Sequence, residues 1–146
     1  MKKIVITGGL GYIGTELCKI YSGYSWNDHI TVIDNRFISE RVNQIRHWNM
    51  NFVQGDILDK ELIKKYCEEA DIVHHLAGIT DVPRVKSDSN QAHDLKIKKV
   101  AEEGTQNILD VINDNCKIIM PSSHVIYEGM EKVKNDIKEN EKTSPV

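Results

Sequence analysis

The stretch Thr7-Gly8-Gly9-Leu10-Gly11-Tyr12-Ile13-Gly14 has the residue types and spacing to hold a diphosphate. It follows the apolar run Ile4-Val5-Ile6, which reads as a buried parallel strand, and leads into Thr15 to Tyr21, which has helical spacing. A strand, a glycine turn and a helix in that order bring phosphate oxygens against unpaired backbone N–H groups and the positive end of a helix dipole. The glycines allow a tight turn, close approach of phosphate to the backbone, and tight packing of helix on strand. Twenty residues past Gly14, the run Ile30-Thr31-Val32-Ile33 ends in Asp34. A carboxylate at the carboxyl end of the second strand of a βαβ unit accepts hydrogen bonds from two ribose hydroxyls and repels a 2′-phosphate. NAD is therefore favoured over NADP, although Arg36 is a cation that a 2′-phosphate could pair with.

The other reactive side chains point to less. Cys18, Cys67 and Cys116 are odd in number, widely spaced and set beside apolar runs, so they read as reduced core thiols and not as a disulfide framework or a zinc site. His74 and His75 are neighbours in a strand and must face opposite sides of a sheet, which rules out joint ligation of one metal; no metal site is expected. His124 and the loop residue Arg84 are candidates only by position, the first near a cleft and the second for a substrate phosphate. With 19 basic and 22 acidic residues the net charge is -3, and no basic stripe or interleaved aromatic pattern favours nucleic acid as a partner. Met1-Lys2-Lys3 runs straight into the first strand, and the apolar stretch behind it is too short for a signal peptide or a membrane span. A cytoplasmic protein without membrane attachment is the expectation.

These residues need elements to position them. With 146 residues the chain suits one domain with a real core. After the first βαβ unit, Val42, Ile45 and Trp48 give the stretch from Phe37 to Trp48 a helical apolar edge. Asn51 to Gln54 reads as a short strand, and Asp59 as the N-cap of a helix from Lys60 to Glu68 with Leu62, Ile63 and Tyr66 on one face. Asp71 to Gly78 reads as a fourth strand, with Ala77 and Gly78 where the backbone must come close to something. A polar loop over 79–90 leads to a long helix from about Gln91 to Asn115, with Ile97, Val100, Ile108, Leu109 and Ile112 on its core face. Cys116 to Met120 is a fifth strand. This α/β alternation predicts a doubly wound parallel sheet, a Rossmann fold, with five strands in order 3-2-1-4-5 and the ligand crevice between strands 1 and 4. Residues 1–127 would form the NAD-binding domain, and residues 128–146 a polar loop or tail.

In these residues the chain resembles the extended short-chain dehydrogenase/reductases, the NAD-dependent epimerase/dehydratase family. The matching stretches, in order, are Thr7 to Gly14, Gly55-Asp56-Ile57, His75-Leu76-Ala77-Gly78, and Ser122-Ser123 followed by Val125-Ile126-Tyr127. The resemblance implies that Gly8, Gly11 and Gly14, with Tyr12 and Ile13 between them, face the pyrophosphate. It sets Asp34 and Asn35 at the adenosine ribose and Asp56 and Ile57 at the adenine, with Ile57 covering the ring's face. Leu76, Ala77 and Gly78 would line the middle of the cofactor, and Ser123 would be the catalytic hydroxyl on the substrate's reacting oxygen. It also implies a nucleotide-sugar substrate and a homodimer formed through the long helix.

Departures from the family pattern are as informative. The family's general base is a tyrosine with a lysine four residues later. Here Tyr12, Tyr21, Tyr24, Tyr66 and Tyr127 are followed at that position by Glu16, Ser25, Asp28, Ala70 and Glu131. Ala101 stands where the family has an asparagine ahead of Gly104-Thr105. The expectation is the cofactor half of an epimerase- or dehydratase-type oxidoreductase, lacking the family's C-terminal half, with an open edge at the fifth strand and inactive by itself. The alternative is a dinucleotide-binding sensor or partner protein without turnover.

Overall fold

Ile4, Val5 and Ile6 are all buried because their strand lies in the middle of the sheet and is covered on both faces. The computed structural model describes residues 1–24, 28–79, 91–127, 129, 137–138 and 140–143. In chain order the elements are β1 (Lys3–Thr7), α1 (Tyr12–Gly23), β2 (His29–Asp34), α2 (Ser39–His47), β3 (Asn51–Gln54), α3 (Lys60–Cys67), β4 (Ile72–His75), α4 (Gln91–Leu109) and β5 (Lys117–Ile119). A 3₁₀ turn, His124–Tyr127, follows. Among the described residues the sheet is parallel, in the order β3-β2-β1-β4-β5 that the sequence predicts.

Alternate residues of β1 feed two cores. Ile4 and Ile6 pack with Leu10, Cys18, Val32, Val42 and Ile45 under α1 and α2. Val5 packs with Ile33, Ile57, Ile63, Val73 and Ile108 under α3 and α4. The thiols of Cys18 and Cys67 lie one in each core, and burial pushes both up to about 12. They are free and protonated, as expected of core thiols. Asp59 caps α3, its Oδ1 accepting from the Leu62 N–H at 3.1 Å.

Several boundaries differ from expectation. Helix α1 starts at Tyr12, so Tyr12 and Ile13 belong to its first turn. Helix α4 ends at Leu109 instead of Asn115, and Leu109 is exposed. The reason lies in Asn113, whose Oδ1 accepts from the Asn115 N–H at 2.9 Å while its carbonyl accepts from Cys116 at 2.9 Å. That local turn competes with further helix. Strand β4 leaves the ladder after His75, although the Leu76 N–H still donates to the Thr7 carbonyl at 3.1 Å. The loop with Arg84 and Pro83 lies, from position 80 on, outside the described residues, as does most of the tail beyond 127 and the His124 side chain. No helix among the described residues is long and apolar enough to cross a membrane.

Candidate functional site

The glycine turn is built by β1 and β2 together. The Gly8 and Gly9 N–H groups both donate to the Ile33 carbonyl, at 2.8 and 3.3 Å, and the Gly11 N–H donates to Gly8 at 3.0 Å. Gly8 has φ +69°, and a Cβ there would lie 2.7 Å from the Ala77 backbone. A Cβ at Gly14 would lie 2.6 Å from both the Gly8 carbonyl oxygen and the Gly9 Cα. Nothing larger than glycine fits either place. No side chain caps α1, no acidic residue occupies its first turn, and the N–H groups of Tyr12, Ile13 and Gly14 have no acceptor among the described residues. Three backbone donors and the positive helix end therefore face the carboxyl side of the sheet unsatisfied.

Asp34 ends β2 beside this turn and is 5 % exposed. Its Oδ2 accepts from the Leu10 N–H at 2.9 Å, and its Oδ1 accepts from the Arg36 N–H at 3.0 Å and Arg36 Nε at 3.4 Å. The Leu10 carbonyl in turn accepts from Arg41 Nη1 on α2. The Leu10 peptide is thus held on both sides, and Oδ2 keeps a lone pair for a further donor. Arg41 was not visible as a site residue in the sequence, since nothing local marks which surface arginine reaches back to a loop.

At the ends of β2 and β3, Asn35 Nδ2 donates to Asp56 Oδ2 at 3.1 Å, and Asp56 Oδ1 accepts from the Leu58 N–H at 3.0 Å. Ile57 corrects an expectation. Its side chain does not lie open to cover a ligand ring: it is buried against Gly104 of α4, where a Cβ would meet Ile57 Cδ1 at 2.3 Å. The Ile57 carbonyl accepts from the buried Asn107 at 3.0 Å, while its N–H has no acceptor among the described residues and stays available. Asn107 escaped the sequence reading because a polar residue at a core-facing helical position breaks the apolar pattern.

Across the crevice, β4 brings up Leu76, Ala77 and Gly78. A Cβ at Gly78 would meet nothing within 4 Å among the described residues, so none of them demands a glycine there. Below them the two histidines diverge as expected. His74 Nε2 lies 2.8 Å from the Tyr21 hydroxyl on the α1 side. His75 Nδ1 lies 2.8 Å from Thr7 Oγ1, and its Nε2 lies 3.0 Å from Thr105 Oγ1 on α4. Burial lowers the pKa of both rings, with Lys117 adding to the effect on His74, so both are neutral. Ser123 is exposed, past the carboxyl end of β5.

The turn, Asp34, the Asp56–Ile57 corner and the Ala77–Gly78 end thus gather at the carboxyl edge of the sheet, around the switch between β1 and β4. The model of the 3-beta hydroxysteroid dehydrogenase/isomerase family, within the NAD-dependent epimerase/dehydratase group, matches residues 5–145. The chain belongs to this family. CDP-paratose 2-epimerase of Salmonella typhi is 33% identical over 144 residues, covering 90% of this chain and 40% of that protein. Among solved structures, UDP-N-acetylglucosamine 4-epimerase from Methanobrevibacter ruminantium M1, in complex with UDP-N-acetylmuramic acid, has a TM-score of 0.77 at 26% identity, covering 99% of this chain and 44% of its own. UDP-glucose 4-epimerase from Brucella ovis, in complex with NAD, has a TM-score of 0.76 at 25% identity, covering 100% and 42%. This family member therefore spans about two-fifths of the length of the relatives it matches.

Proposed function

We infer that the chain binds NAD across the carboxyl end of its sheet and supplies the cofactor half of an epimerase- or dehydratase-type oxidoreductase acting on a nucleotide-linked sugar. The observation that carries the reading is the Cβ-free cradle at Gly8 and Gly14 beneath three N–H groups that have no acceptor among the described residues, ending beside the buried Asp34 carboxylate. A pyrophosphate suits the donors, and a ribose hydroxyl suits the remaining lone pair of Oδ2. Arg36 already donates twice to Oδ1, so a second ribose hydroxyl competes with its Nε. The Ile57 N–H and the Asp56 carboxylate offer adenine a donor and an acceptor. Ala77 and Gly78, which has no described neighbour within 4 Å of a Cβ, suit a flat ring. Bound NAD would supply a hydride acceptor. The chain's own contribution to the reaction is Ser123, whose hydroxyl would hydrogen-bond the substrate oxygen as it gains carbonyl character.

The sugar-nucleotide class follows the activities of the relatives, of which CDP-paratose 2-epimerase is one. The Asp34 carboxylate favours NAD over NADP by charge. Calorimetric titration of the 146-residue chain with each dinucleotide tests the reading. NAD should bind more tightly than NADP. Gly11→Leu should abolish binding, because a Cβ at Gly11 already meets the Gly8 carbonyl at 3.0 Å and a longer side chain fills the phosphate approach. Undiminished NAD affinity in that variant, or none in the wild type, would overturn it.

A further inference from the structure

The described hydrogen bonds of the Thr7 hydroxyl determine more than a packed histidine. Thr7 is fully buried, and its Oγ1 accepts from the Ala77 N–H at 3.4 Å. Its hydroxyl hydrogen still needs an acceptor. Among the described side-chain contacts of Thr7 Oγ1 the available acceptor is His75 Nδ1, at 2.8 Å. That leaves Nδ1 without a proton and puts the ring proton on Nε2, which donates to Thr105 Oγ1 at 3.0 Å. The opposite tautomer would strand the Thr7 hydroxyl hydrogen inside the core.

We propose that His75 is a positioning residue: a one-way hydrogen-bond chain, Ala77 N–H to Thr7 O–H to His75 to Thr105, fixes the spacing of the two strand ends that floor the crevice and ties it to α4. Both ends of the chain matter to the site. Ala77 is the residue whose backbone a Gly8 Cβ would meet at 2.7 Å, so a shift of its amide changes the gap between β1 and β4 at the switch point. Thr105 sits on α4 at the other ring nitrogen, which makes dinucleotide affinity depend on a hydroxyl outside the ring of residues around the crevice. Bonds aligned donor to acceptor also reinforce one another, and the central one, between Thr7 and His75, is buried.

The inference rests on the dinucleotide reading for its affinity arm only. Long-range proton–nitrogen correlation of the 15N-labelled chain reads the His75 tautomer without any ligand. The Nε2–H form is expected, and an Nδ1–H form or an even mixture overturns the proposal. In Thr105→Val the Ala77 amide resonance should shift and NAD should bind about three- to tenfold more weakly, the worth of one hydrogen bond. Thr105→Ser should restore both. Valine and serine variants that match each other in the Ala77 resonance would overturn it too. Failure of the wild type to bind NAD would instead overturn the dinucleotide reading, with the tautomer and the Ala77 shift still deciding for or against the chain.

Discussion

The fold requires a glycine at Gly8, whereas Gly78 is a glycine we propose serves the ligand, and a pair of alanine substitutions separates the two cases. At Gly8 the backbone is left-handed and a Cβ collides with Ala77, so Gly8→Ala should lose about 2 kcal/mol or more in urea unfolding. At Gly78 a Cβ meets no atom of the described residues, so Gly78→Ala should keep stability within about 0.5 kcal/mol and still weaken NAD binding. Equal losses of stability would refute the assignment of Gly78 to the ligand. The two buried histidines make a second residue-scale prediction. Burial holds each folded-state pKa below the ordinary 6.5, with Lys117 adding to the effect on His74. Below that pH the unfolded chain takes up protons that the folded one refuses, so their contribution is complete above about 6.5 and falls as the solution is acidified. The urea midpoint should be flat from pH 8 to 7 and decline from 6.5 towards 5. A midpoint unchanged at pH 5 would contradict it.

At the scale of elements, the contact of α4 with the turn after β3 is held by one glycine. Gly104→Ala would ordinarily stabilise a helix by about 1 kcal/mol. Here the added methyl would enter the space of Ile57 Cδ1 and Cγ1, at 2.3 and 2.6 Å, and overpacking costs about 1–3 kcal/mol. The net effect should be destabilising. Trimming Ile57 to Val removes Cδ1, the nearer of the two colliding atoms, so the double variant should be more stable than the two single losses predict. Additive losses would mean that α4 shifts instead. The same contact couples the Ile57 N–H, a candidate adenine donor, to the seating of α4, and Asn107 reinforces it by holding the Ile57 carbonyl at 3.0 Å.

For the whole molecule, the chain spans about two-fifths of its relatives' length and contains no tyrosine with a lysine four residues on. It should therefore bind NAD without reducing it: mixing with NAD and UDP- or CDP-linked sugars should leave absorbance at the reduced-nicotinamide band unchanged, and turnover would sink the reading of a cofactor half. A dimer through α4, which the resemblance implies, is a proposal that sedimentation can check. Much of this architecture was legible in the sequence. Apolar periodicity and the spacing of glycine, Asp34 and Asp59 depend on residues within one turn or one βαβ unit, and they yielded the strand order, the glycine turn between β1 and α1, and the α3 cap. Tertiary structure alone decided that Ile57 points into the core, that Leu109 points out, that Arg41 reaches the Leu10 carbonyl, and that Thr7, His75 and Thr105 share one hydrogen-bond chain. Those outcomes join residues dozens of positions apart, Thr7 and His75 by 68, and local pattern carries no record of which side chains meet across a folded sheet.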